Sequence, residues 1–173
     1  MPATAYQRLE ERFKRIAVLR DVDSLLHWDM STMMPMGAAS GRSEQMATLK
    51  VLCHEWLTAA EIEDWLGEAQ MGGKLDSWQA ANLAEMRRQW LHASAIDGKL
   101  TEALAKAVSE CEMTWRKARG ASDFESVRPL LQIVLELTRE SAKAKSEKLG
   151  VTPFDALLDE FDPGLRASEV DRL

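Results

Sequence analysis

The stretch LTEALAKAVSECEMTW, residues 100–115, decides the fold class. Its apolar residues Leu100, Leu104, Val108, Cys111 and Trp115 fall at spacings of four, four, three and four. That is the period of one face of an α-helix, not the alternation of a strand. The same period continues on both sides. Upstream, Asp76 with Gln79 three residues on has the pattern of a capping box. It precedes Trp78, Leu83, Met86 and Trp90, and Gly98 reads as the end of that helix. Downstream, Gly120 reads as a closing glycine. Asp123 then caps a helix carrying Val127, Leu131, Val134 and Leu137 as far as Gly150, with Pro129 inside its first two turns.

Nearer the start, Leu9, Phe13, Ile16, Leu19 and Leu26 define a first helix from about Ala5 to Trp28. It must stop before Met33-Met34-Pro35-Met36-Gly37, because proline disfavours helix at the residue preceding it. Met46, Leu49, Cys53 and Trp56 define a second helix from about Ala39 to Leu66. Thr152-Pro153 starts a short amphipathic helix with Phe154, Leu157, Leu158 and Phe161, closed by Asp162-Pro163-Gly164. The expected fold class is therefore all-α, a bundle of long antiparallel helices. Ser168 looks like one more helix start, with an acidic residue three positions later. So few residues follow that the sequence reads as cut inside an element, because so short a helix is marginal alone. A frayed natural terminus is the other reading.

Composition narrows the function classes. The net charge is -6 among 173 residues, and phosphate binding needs a basic surface, so no nucleic-acid partner is expected. No apolar run approaches the roughly 20 residues of a membrane span, and the N-terminus carries charges where a signal peptide is apolar. No membrane partner and a cytoplasmic location are the expectations. Cys53 and Cys111 each lie on an apolar stripe and read as buried reduced thiols. Trp56, Trp78, Trp90 and Trp115 read as core at helical spacing.

No catalytic site and no metal site can be assembled from the motifs. His54-Glu55 resembles the start of an HExxH zinc motif, but the residue one turn later is Thr58. His27, His54 and His92 have Ser24, Val51 and Gln89 three residues before them, which removes the Glu-x-x-His pattern of a carboxylate-bridged di-iron bundle. Phosphate-cradling glycine patterns and a nucleophile elbow are missing as well. Glu61, Glu63 and Asp64, and likewise Asp159, Glu160 and Asp162, read as solvated faces.

One further pattern is specific. Trp28-Asp29, Met34-Pro35, Gly37-Ala38, Arg42, Gln45, Ala47 and Leu49 resemble the N-terminal signature of the carboxypeptidase Taq family. Trp115 to Arg119 with Asp123-Phe124 and Pro129-Leu130, and then Phe154 to Gly164, resemble two later segments of that family in the same order. Phe154 and Phe161 stand where the family pattern has tyrosine. The resemblance implies a larger, mostly helical zinc metallocarboxypeptidase fold that removes C-terminal residues from peptides, commonly as a homodimer. Zinc, or another divalent metal such as cobalt, would be held in the complete enzyme by an HExxH helix that is not in this sequence. There it would lower the pKa of its bound water.

On this resemblance residues 1–173 are a single helical N-terminal region, truncated before the HExxH-bearing part and inactive alone. They would form a wall or lid of the substrate groove, with the C-terminal catalytic part as partner and no metal bound here. The other reading is a stand-alone helical binding or oligomerisation module. Asp29 and Arg42 flank the Met-Pro-x-Gly turn and are expected to pair across it. Alternatively His27, Asp29 or Arg42 faces the groove and touches peptide.

Overall fold

The computed structural model describes residues 3–172, so Met1, Pro2 and Leu173 of the expected 1–173 region lie outside the described residues. Helix α1 (Ala5–Thr32) leads through a 3₁₀ turn (Met36–Ala38) into α2 (Ala39–Leu57). Then come α3 (Ala60–Met71), α4 (Ser77–Ser94), α5 (Gly98–Ala121), α6 (Phe124–Leu149), α7 (Pro153–Phe161) and the single turn α8 (Ala167–Val170). No strand occurs among the described residues. Helices α1 and α2 form one hairpin, α5 and α6 another, and α2 packs on α5 to join them.

Capping explains most boundaries. Thr4 with Gln7, and Asp76 with Gln79, form complete capping boxes at α1 and α4. Asp97, Asp123 and Thr152 each accept from a backbone N–H of the following helix's first turn. Gly150, at φ 68°, ends α6 in a left-handed conformation that costs glycine little.

Five expectations about boundaries need correction. Helix α1 runs one turn past Trp28, because the Ser31 and Thr32 hydroxyls donate to the carbonyls of His27 and Trp28 and satisfy its final turn. The expected single second helix is broken after Leu57. Thr58 donates its hydroxyl to the His54 carbonyl, Ala59 is extended, and Glu61 and Glu63 open a new helix at its positive end. Gly98 does not close α4 but opens α5, since Asp97 caps that helix. Gly120 is inside α5, which ends instead at Ser122 in a left-handed conformation, φ 54°. Ser168 is inside α8 rather than capping it.

The main core joins α1, the end of α2, α3 and α4 through Leu9, Ile16, Leu57, Ile62, Leu66, Met86 and Trp90. A smaller one, with Cys111, Ala118 and Val127, seals α5 against α6. Arg12 braces the α2–α3 break from α1, donating to the Trp56 carbonyl at 3.0 Å and to Glu61 at 2.8 Å. Of the tryptophans expected in the core, Trp90 is buried and Trp56 half-buried. Trp78 is 84% exposed and Trp115 44%. Trp78 sits in the first turn of α4, before that helix meets its neighbours. Phe154 and Phe161, expected on the apolar face of α7, are also exposed, at 65% and 89%. Cys53 and Cys111 are free thiols, the first half-buried and the second buried.

Candidate functional site

The turn between α1 and α2 brings together two of the three residues singled out from sequence. Arg42 Nη2 lies 2.6 Å from Asp29 Oδ2, so the expected ion pair across the turn is formed. Arg42 also donates from Nη1 to the Leu26 carbonyl (2.8 Å) and from Nε to Gln45 (3.1 Å). Its three nitrogens are thus engaged within the hairpin. His27 is not part of this cluster. It sits one turn back, donating from Nδ1 to the Asp23 carbonyl at 3.2 Å with its ring 38% exposed. Arg116 of α5 reaches the same helix end, donating to the Met30 carbonyl (3.0 Å) and Ser31 Oγ (2.7 Å). Arg116 therefore satisfies a carbonyl in the last turn of α1, where cations are favoured, while Arg42 binds the helix one turn earlier.

A second cluster ties α4 to α7. Asp159, expected on a solvated face, is 7% exposed and sits at the centre of a charged hub. Its Oδ2 accepts from His92 Nε2 at 2.8 Å and from Arg88 Nη1 at 3.4 Å. Its Oδ1 accepts from the Gly164 N–H at 3.0 Å and from Arg166 at 3.4 Å. Gly164 takes φ 88°, a conformation costly for other residues, and this turns its N–H toward the carboxylate. Burial pushes the Asp159 carboxyl up. The donors from His92, Gly164, Arg88 and Arg166 together outweigh it and hold the group down at about 2. Asp155, one turn earlier, accepts from the Ala167 N–H and Thr152 Oγ1, both at 2.8 Å, and fixes the segment after α7.

The hub is not visible in the sequence, where Asp159 reads with Glu160 and Asp162 as a solvated face. The usable signal was complementary spacing: Arg88 and His92 four apart on α4, Asp155 and Asp159 four apart on α7. Beside the hub lies an open cleft of about 550 Å³, lined by residues of α1, α2 and α4 and also by Thr101 of α5, Lys145 of α6 and Glu160 of α7. Cys53 and His54 line it. Burial pushes the Cys53 thiol up and pushes His54 down. No group of three or more His, Cys, Asp and Glu among the described residues could hold a metal ion. These residues do not fit a catalytic metal.

Solved structures that share this helical fold include a metallocarboxypeptidase and a carboxypeptidase. The chain belongs to the carboxypeptidase Taq (M32) metallopeptidase family, which it matches over residues 8–173. It is 36% identical over 179 aligned positions to thermostable carboxypeptidase 1 of Thermus thermophilus, covering 98% of this chain and 35% of that protein. With thermostable carboxypeptidase 1 of Pyrococcus furiosus it shares 27% identity, over 94% of this chain and 32% of the relative. The solved structure of Trypanosoma cruzi metallocarboxypeptidase 1 superimposes with a TM-score of 0.79 at 30% identity, over 97% of this chain and 34% of that one. The chain therefore spans about a third of the length of the relatives it matches.

Proposed function

We propose that this chain is the N-terminal part, a wall or lid of the substrate groove, of a metal-dependent carboxypeptidase that hydrolyses C-terminal residues from peptides. The observation that carries this reading is the match of nearly the whole chain to one third of proteins named as carboxypeptidases. In this reading residues 1–173 form one helical region. The divalent metal, zinc or cobalt, is held by the remaining C-terminal part, which supplies the hydrolytic chemistry. The complete enzyme is a homodimer working in the cytoplasm; no helix among the described residues is long and apolar enough to cross a membrane.

The edge from His27 to Arg42 borders the groove in this proposal. Asp29 and Arg42 hold that edge in place through their ion pair, and His27, with its partly exposed ring, meets the peptide. The test uses the complete enzyme, made by joining this chain to its catalytic remainder, beside the 173-residue chain alone. The complete enzyme should release C-terminal amino acids from a peptide, and the isolated chain should release none. Activity of the isolated chain would overturn the proposal. In the complete enzyme His27→Ala should raise KM about fivefold, the worth of one ordinary hydrogen bond, at unchanged melting temperature. Arg42→Ala should lower the melting temperature at unchanged kcat/KM. An unchanged KM in the His27 variant removes the contact role.

A further inference from the structure

Helix α7 inverts the usual amphipathic arrangement. Phe154, Leu157, Leu158 and Phe161 stand at i, i+3, i+4 and i+7 and so share one face. That face points outward: Phe154 is 65% and Phe161 89% exposed, and the two leucines between them are half-buried. The opposite face, with Asp155, Ala156 and Asp159, is the buried one. Its two carboxylates turn inward because donors meet them there, the Ala167 N–H at Asp155, and His92, Arg88 and the Gly164 N–H at Asp159. Those bonds explain the buried acids. They do not explain an unbroken apolar face held toward solvent, which is the mark of an interaction surface.

The surroundings decide between the occupants such a face can have. A lipid surface calls for Lys and Arg beside the apolar side chains. Here Glu160 and Asp162, on either side of Phe161, are exposed acids, and the chain carries a net charge of -6. A second copy calls for area, since each partner in a stable complex buries about 800 Å². A phenylalanine buries at most about 250 Å² and the leucines are already half-buried, so this face falls short of that area. A partner joined by the same polypeptide needs far less, because linkage raises its effective concentration to about the millimolar range. The chain spans about a third of the length of the relatives it matches. We propose that the outward face of α7 is the seat on which the remaining, catalytic part of the complete protein packs. The existence of that part rests on the peptidase reading given above. Helix α7 then couples two bodies: its acids clasp α4 through Asp159, and its apolar side chains hold the catalytic part.

The experiment introduces Phe154→Ser together with Phe161→Ser into the 173-residue chain and into the complete protein. In the isolated chain both side chains already face water, and serine and phenylalanine have similar helix propensity. Its melting temperature by circular dichroism should therefore move by less than about 2 °C. In the complete protein the same pair removes two buried phenylalanines and should lower the melting temperature by about 6 °C or more. Failure of the complete protein to fold, with the isolated chain unaffected, is the same result in extreme form. Phe154→Leu with Phe161→Leu keeps the face apolar and should recover most of the loss. Sedimentation velocity should give one oligomeric state for the complete protein with and without the serine pair. The proposal fails if the complete protein tolerates that pair as well as the isolated chain does. It fails equally if the pair splits an oligomer into monomers, which would assign the face to a second copy. Loss of stability in the isolated chain would overturn it too, by making the face part of this chain's own packing. Peptidase activity separates the two readings. Release of C-terminal residues with unchanged melting sinks the docking alone, whereas no release with the expected melting loss sinks the peptidase reading alone.

Discussion

Replacing Asp159 with Asn should destabilise the folded chain by about 3–5 kcal/mol, the range for removing one partner of a buried ion pair. The substitution keeps shape and volume but turns an acceptor into an amide. Either His92 Nε2–H and the Arg88 guanidinium, which share Oδ2, or the Gly164 N–H and Arg166, which share Oδ1, then face an NH₂ group, and both pairs of donors lose their carboxylate. The melting temperature measured by circular dichroism should fall by roughly 10 °C or more. Acid provides the complementary test. The Asp159 carboxyl titrates at about 2 when folded, below its ordinary value of 3.8, so the folded state binds that proton less readily than the unfolded chain. Its contribution, about 2 kcal/mol, is fully present above pH 4 and is lost as pH falls from there toward 2. The Asn variant should lack this component, so its stability should fall less steeply across that window. An Asp159→Asn protein as stable as the parent would show that α4 and α7 are held together by packing alone.

Leu66→Ala should cost about 2–5 kcal/mol, the range for removing a fully buried leucine. Leu66 has 0% exposure and lies in the cluster with Leu9, Ile16, Ile62 and Met86, where α1, α3 and α4 meet. Dense packing leaves little room for the surroundings to collapse into the void. Leu66→Met, which nearly conserves volume, should cost less than about 1.5 kcal/mol. Chemical denaturation of the two variants against the parent measures both values. Equal losses would mean that the site tolerates shape change poorly, and not that the cavity sets the cost.

The helical class, the order of the long helices and the caps at Asp76, Asp123 and Thr152 were legible because each rests on local chemistry. Periodicity and an oxygen-bearing side chain before the first turn need no information from the rest of the chain. The break after Leu57 was not legible in that way. Thr58 is tolerated inside a helix, and what stabilises the break is Arg12, some 44 positions away, reaching the Trp56 carbonyl. Asp159 fails for the same reason: as a charged residue on a short amphipathic helix it reads as solvated until α4 is placed against it. Trp78 errs in the opposite direction. Its spacing fits the apolar stripe of α4, yet burial depends on whether a neighbour reaches that turn. The Asp29–Arg42 pair was legible, because a short turn between two helices brings its flanks together whatever the remainder of the fold does.

The hub on Asp159 also bears on the order in which the chain can fold. Its bonds join α4 to α7 across 67 and 71 positions of sequence, whereas the α1–α2 and α5–α6 hairpins close over short turns. Local hairpins form early and distant contacts wait for loop closure. As the chain emerges during synthesis, His92 and Arg88 must spend time without their carboxylate until α7 has followed α6 out. The hub thus acts as a late clasp. Its strength should appear in how slowly the finished structure opens, and hardly at all in how fast it first assembles.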